Sequence, residues 1–252
     1  MTLEEKAKEC RREVLTLIHK AQTSHIASNF SAIDIATAIN EYQKPEDVLI
    51  WSKGWAAATA YYFLWKQGKI TREQLETFPK PPFIGLTERD VPGIVTSGGS
   101  MGHGLPVGVG MAFGKKRSNE AGKVYVIMSD GEMNEGTTWE SAAFAAHHKL
   151  DNLVVIIDVN KWQAMGKTED VLDYQPLRRK WRSFMFETRE IDGNVMHQCV
   201  DALTYPKHSK KPLAVVCNTI KGKGVSFFEN SLIFHYKHVT PEDYEKAMKE
   251  LV

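Results

Sequence analysis

The stretch Val126 to Glu140, VIMSDGEMNEGTTWE, sets three carboxylates, Asp130, Glu132 and Glu135, just past an apolar run. That run ends at Ser129, Asp130 is handed to Gly131, and a helix-forming segment follows. No lysine or arginine lies in the stretch to neutralise Asp130. A second apolar run, Leu153 to Val159, ends at Asn160, 30 residues beyond Asp130. A carboxylate oxygen and an amide oxygen are hard donors, suited to Mg²⁺ or Ca²⁺. Mg²⁺ takes only one or two protein carboxylates and completes its octahedron with phosphate oxygens and water. Gly131 would let the backbone approach such a phosphate. The helix start after Gly136 would add amide donors and a positive dipole end. The plainer alternative is an ordinary strand-to-helix connection with an acidic helix start, and an Asp-Gly and an Asn taken alone leave both open.

Asp130 and Asn160 can meet only if the chain between them returns to one edge of a sheet. The residues read that way, as a strand over 124–128, a helix over 137–148 and a strand over 153–159. A strand, helix, strand crossover lays the second strand parallel to the first, with right-handed connection. The same alternation runs through the chain. Leu3, Ala7, Cys10, Val14, Leu17 and Ala21 fall on one helical stripe. Ser31, with Asp34 three residues on, reads as the N-cap of a second helix. A strand follows over 48–51, a helix over 56–65, an ordered loop rich in proline and glycine over 79–99, and a glycine-rich helix over 105–113. Past Asn160 come helices over 175–182 and 195–203 and strands over 185–190 and 213–219. Thr240 caps a last helix that has Pro241 at its first position. Apolar strands alternating with helices predict an α/β fold: a mostly parallel sheet with helices on both faces, in one domain over 1–252. Ligands in such sheets bind beyond the carboxyl ends of the strands, where Asp130 and Asn160 sit.

Composition narrows the partners. A net charge of +1 offers no broad electrostatic attraction to nucleic acid or an anionic membrane. The cluster Arg178-Arg179-Lys180 reads as a solvated helix face. Cys10, Cys199 and Cys217 are widely spaced with no C-x-x-C, which fits buried thiols in a reducing, cytoplasmic setting. The opening MTLEEKAKEC has no apolar core of a secretory signal, and the run Leu153 to Ile157 is too short to span a bilayer.

The segment SDGEMNEGTTWESAAFAAHHKLDNLVVIIDVN resembles the thiamine-diphosphate signature of transketolases. IWSKGWAAATAYYFL, PGIVTSGGSMGHGLPVGVGMAFGKK and IKGKGVSF also look like transketolase segments, in the family's order. The resemblance runs from about residue 5 to 251 and matches the amino-terminal part of a transketolase, which holds the cofactor diphosphate. It implies thiamine diphosphate and Mg²⁺ as cofactors. Asp130 and Asn160 would be side-chain metal ligands, and the main-chain carbonyl of Trp162 a third. Gly131 and Glu132 would line the diphosphate, and Gly99 and Met101 would lie along the aminopyrimidine and thiazolium. His25 matches a histidine of the donor-sugar channel, and His235 one near the diphosphate and substrate. With His103, which stands where a glutamine is usual, these two are the candidate catalytic side chains. His147 and His148 read as helix-surface residues. Tyr61, Tyr62, Phe63 and Trp65 read as core or subunit interface.

The departures from the family pattern fall on the donor side. Trp55 replaces a histidine near cofactor and donor, and Leu86 lies where a substrate-channel histidine is expected. Gly-His-Pro-Gly becomes Ser24-His25-Ile26-Ala27, and Lys161 replaces a frequent glycine. Kept cofactor positions with altered donor positions imply retained chemistry on an unusual donor or acceptor. The implied reaction is two-carbon ketol transfer from a ketose, free or phosphorylated, to an aldehyde. The family's catalytic glutamate belongs to the next domain, which the resemblance does not reach. It therefore implies a carboxy-terminal transketolase-like partner chain, with two copies of each. The alternatives are another acyloin-forming or decarboxylating thiamine enzyme, acting on a keto acid or nucleotide-linked sugar, and a non-catalytic scaffold subunit.

Overall fold

A computed structural model describes residues 1–204 and 209–252. Five strands, β1 Val48–Trp51, β2 Val124–Ser129, β3 Leu153–Val159, β4 Glu187–Asp192 and β5 Leu213–Asn218, form one sheet in the order β1-β2-β3-β5-β4. Every pairing is parallel. Before β1 come α1 Leu3–Ala21, α2 Ile26–Ser31 and α3 Ile33–Tyr42. Between β1 and β2 lie α4 Ala57–Lys66, α5 Arg72–Glu76 and α6 Gly104–Arg117, and α7 Gly136–His147 joins β2 to β3. Then follow α8 Thr168–Leu172, α9 Leu177–Ser183, α10 Met196–Thr204, α11 Ile233–Tyr236 and α12 Pro241–Glu250.

Successive strand residues point to opposite faces, so apolar strands need cover on both. Val126, Met128, Val155, Ile157 and Val216 pack with Leu105 and Val109 of α6, Ala142 of α7 and Trp181 of α9. Tyr125, Ile127, Val154, Ile156 and Val215 pack with Val14 of α1, Ile35 of α3, Tyr61 of α4 and Cys199 of α10. The expected α/β architecture is therefore present, with helices on both faces. The glycines of α6 are explained by close approach. A Cβ on Gly108 would lie 2.5 Å from Val126, and one on Gly104 would lie 2.3 Å from Ser52.

Two expectations need correction. Ser31 does not cap the second helix: it ends the short α2, and α3 starts after Ala32 with no side-chain cap. Its hydroxyl donates to buried Asp158 instead. The strand expected over 185–190 runs from Glu187 to Asp192 and is polar and only half-buried. It pairs with β5 alone at the sheet edge, where charged side chains are tolerated. The short helices α5, α8 and α11 carry too few turns to show a period in sequence. The loop over 79–99 is ordered without helix or strand. It is tied down by Thr87 N–H to Gly54 carbonyl (3.1 Å) and Tyr61 hydroxyl to Leu86 carbonyl (2.5 Å). Arg178 and Arg179 are exposed on α9. No described helix is long and apolar enough to cross a membrane.

Candidate active site

Parallel register builds the site. Ser129 of β2 pairs with Asp158 of β3, so the two strands end side by side and Asp130 comes level with the approach to Asn160. A cavity of about 260 Å³ opens there, at the carboxyl ends of β1, β2 and β3. Its lining includes Asp130, Gly131, Glu132, Asn160 and Trp162, together with Gly99, Met101, His25 and His235. His103 is exposed and outside the lining, so it is not brought to the other two histidines. Gly136 and Thr137 are also outside the lining. A tight turn, Asp130–Asn134, stands between β2 and α7, and the turn rather than the helix start faces the cavity. A larger polar cleft of about 640 Å³ shares Asp130 and Trp162 and runs past Lys167 and Asp173, but neither His25 nor His235 lines it.

Asp130 is 2% exposed. Its oxygens accept from the backbone N–H of Gly131 (3.0 Å) and Lys161 (2.9 Å) and from the Thr168 hydroxyl (2.9 Å). Residues 160–168 double back to make this possible: Trp162 bridges Lys167, and Gln163 N–H donates to Gly166 carbonyl at 2.8 Å. Lys161 sits at φ 67°, a left-handed conformation that glycine adopts without steric cost. Burial, with the charge of Asp158 added, pushes the Asp130 carboxyl up to about 6. Lys53 and Lys221, both remote in sequence, act on Asp130 through space but make their hydrogen bonds elsewhere. Asn160 is oriented from both ends. Its amide nitrogen donates to Ser31 Oγ (3.3 Å), and its oxygen accepts from Trp162 N–H (3.0 Å).

The floor of the cavity is a hydrogen-bonded polar network that includes the lining residues Ser52, Lys53 and Glu132. Fully buried Asp158 accepts from Lys53, Ser31 and Thr219, and Lys53 also donates to Ser31 Oγ at 2.9 Å. Glu132, also fully buried, accepts from Ser52 Oγ, Ser129 N–H (2.9 Å) and Gly102 N–H (3.2 Å). It thus braces the ends of β1 and β2 against the loop that carries Met101. The β1 loop meets the 97–99 loop backbone to backbone. A Cβ on Gly54 would lie 2.6 Å from Gly98 Cα, and Gly99 takes φ 109° beside Leu86.

On the open side, Trp55 stacks on His25 at 4.1 Å and 10°. His235 meets the His25 ring edge-on at 4.8 Å. Asn29 pins both segments, donating to the carbonyls of His25 (3.0 Å) and Trp55 (3.1 Å). Burial first, then the charge of Lys221, lowers both imidazoles, His25 to about 4 and His235 to about 3, so both are neutral at pH 7. Leu86 lies outside the cavity lining. His147 is exposed, Tyr61 and Tyr62 are core, and Trp65 is half-buried under Lys66 and Arg72.

Sequence reasoning missed Lys53, Asp158, Ser31, Thr219 and Lys221. One signal was present: Asp158 is a charge inside an otherwise apolar strand, LVVIIDV, where it needs a buried partner. Nothing local shows that the partner is Lys53.

The family described as "Transketolase, thiamine diphosphate binding domain" matches residues 4–251. An apulose-4-phosphate transketolase subunit of Actinobacillus succinogenes is 37% identical over 264 residues, covering 99% of this chain and 95% of that protein. The 6-deoxy-6-sulfo-D-fructose transketolase subunit SqwG of Clostridium sp. is 32% identical, over 99% of this chain and 96% of that one. In fold, the chain superposes on a transketolase from Campylobacter jejuni with TM-score 0.92 at 24% identity. All of this chain is covered there, but it spans only 43% of the Campylobacter chain. The chain belongs to the transketolase family, as a member of its thiamine diphosphate-binding domain.

Proposed function

We propose that this chain is the diphosphate-binding subunit of a two-chain transketolase, which moves a two-carbon ketol unit from a ketose to an aldehyde with thiamine diphosphate and Mg²⁺. The observation that carries the reading is the convergence of Asp130, Asn160, Trp162, His25 and His235 on one cavity. The residues fit the cofactor. Asp130 is a buried carboxylate with no cationic hydrogen-bond partner among the described residues. Gln163, which also lines the cavity, has a buried Nε2 with no hydrogen-bond partner among the described residues. A Cβ on Gly131 would have the Gln163 side chain, at 3.5 Å, as its nearest neighbour among the described residues other than the two adjoining ones. Among the described residues no cluster of three His, Cys, Asp or Glu side chains is placed to hold a metal. A hard cation would be held here instead by Asp130, the Asn160 amide oxygen and the Trp162 carbonyl.

Thiamine diphosphate, when bound, supplies the carbon nucleophile and electron sink for breaking and making the bond beside a ketose carbonyl. This chain's residues hold and orient. Asp130 and Asn160 fix the cation, and Gly131 and Gln163 border the diphosphate. Gly99 and Met101 shape the wall, braced by Glu132 rather than by direct contact of that carboxylate with the ligand. Neutral His25 and His235 hydrogen-bond substrate oxygens, while Trp55 limits what enters. The two relatives from Actinobacillus and Clostridium act, by their names, on unusual ketoses, which fits the altered donor side. A carboxy-terminal transketolase-like chain would supply the aminopyrimidine half and the catalytic glutamate, in an assembly with two copies of each. The three buried thiols suit a reducing, cytoplasmic setting.

Calorimetry tests the site. Thiamine diphosphate with Mg²⁺ should bind the assembled wild type and be lost in Asp130→Ala. Unchanged binding by the variant would remove the assignment.

A further inference from the structure

Lys221 follows β5 and is fully buried. Among the described residues its ammonium makes one hydrogen bond, at 2.6 Å, to Nδ1 of His235. Lys221 is lowered to about 8 by burial and by the charge of Lys53, so it still carries its proton at pH 7. An ammonium has three donors and no acceptor, so Nδ1 must be the acceptor of that bond. A neutral imidazole has one bare and one protonated nitrogen. With Nδ1 bare, the proton of His235 sits on Nε2, which has no hydrogen-bond partner among the described residues. His235 lines the cavity, whereas Lys221 is not among its lining residues. His25 has no equivalent lock. Its Nδ1 lies 2.7 Å from Ser24 Oγ, a hydroxyl that can donate or accept.

We propose that Lys221 is a positioning residue that locks His235 as the Nε2–H tautomer, so that the ring offers the cavity a hydrogen-bond donor and cannot act as a base. The acceptor is a phosphate or carbonyl oxygen, and that identity alone rests on the transketolase reading. A donor fixed before the ligand arrives stabilises charge developing on such an oxygen without reorganising. The sequence segment IKGKG, which the cavity's own residues leave unexplained, thereby acquires a role.

Histidine-selective ¹⁵N labelling of the full chain tests this without cofactor, substrate or activity. His235→Gln identifies the His235 signals by their disappearance. In wild type at pH 7, Nε2 should resonate as the protonated nitrogen and Nδ1 as the bare one. The reverse pattern, or an average of the two, overturns the proposal. Lys221→Arg, which keeps a donor, should preserve the pattern, and Lys221→Met should convert it to a mixture of tautomers. A folded Lys221→Met that keeps the pure Nε2–H pattern also overturns it. If Lys221→Met does not fold, the wild-type and Lys221→Arg spectra decide. Failure of ketol transfer in any assay would leave these spectra unaffected, so the two readings fail separately.

Discussion

At the cavity floor, Asp158 is fully buried and accepts from Lys53, Ser31 and Thr219, and Glu132 accepts from Ser52, Ser129 and Gly102. At the mouth, Trp55 and Met101 are 41% and 43% exposed, and Met165 is 80% exposed. The floor is thus desolvated and hydrogen-bonded throughout by its own chain. A buried charge pair contributes little net stability over an apolar replacement, yet breaking one partner is expensive. Its value is a fixed electrostatic frame that needs no rearrangement when a charged group arrives. The rim is the opposite. Large apolar side chains there stay partly or largely exposed, the mark of a surface that meets something else. The floor therefore carries what a diphosphate and cation need, and the rim carries what distinguishes one substrate from another and one chain from two.

The comparison can be broken at its deepest point first. Asp130→Ala removes the only carboxylate assigned to the cation. Cofactor affinity should fall more than about 100-fold, since even an outer-shell partner is worth about 10–100-fold. Circular dichroism should stay unchanged, and wild-type affinity in calorimetry would refute the role. Lys53→Met should leave Asp158 charged and unpaired in the interior, lowering stability by about 3–5 kcal/mol in denaturant titration. The double variant Lys53→Met/Asp158→Leu should recover part of that loss. A single-variant loss below about 1 kcal/mol would show that the floor does not depend on the pair.

Glu132→Gln places an NH₂ among donors that had a carboxylate to bond, at a cost of about 1–3 kcal/mol. Because Glu132 braces the Met101 loop, thiamine diphosphate affinity should fall with it. A stability loss without any affinity loss would confine Glu132 to scaffolding. The smallest effect on cofactor binding is expected at the rim. Trp55→His should alter donor preference while changing cofactor affinity only a few-fold, and the reverse ranking would erase the contrast between rim and floor. For the same reason xylulose 5-phosphate should be a poor donor for the wild-type assembly. Brisk turnover of it would place specificity elsewhere.

Asp130 and Asn160 were legible because apolar runs reveal where strands end, and parallel strands bring their ends together. The floor was not legible, because its bonds join residues far apart in sequence. Lys53 lies 105 positions from Asp158. Ser31 shows the competition well. A serine before a helical pattern reads as a cap, but a buried carboxylate offered it a stronger, charge-assisted bond. The edge strand β4 escaped the apolar rule because only one neighbour pairs with it. His103 sits one residue past Gly102 of the braced loop, yet it immediately precedes α6 and faces solvent, a direction no spacing rule reveals.

The central claim is that this chain supplies one half of a shared thiamine site. Its most direct test is ketol transfer and thiamine diphosphate binding by this chain alone, by the carboxy-terminal transketolase-like chain alone, and by the two mixed, on fractions sized by light scattering. The account predicts tight cofactor binding and turnover only in the mixture, in a particle holding two copies of each chain. Turnover at an ordinary enzymatic rate by this chain, rigorously freed of any partner, would contradict it.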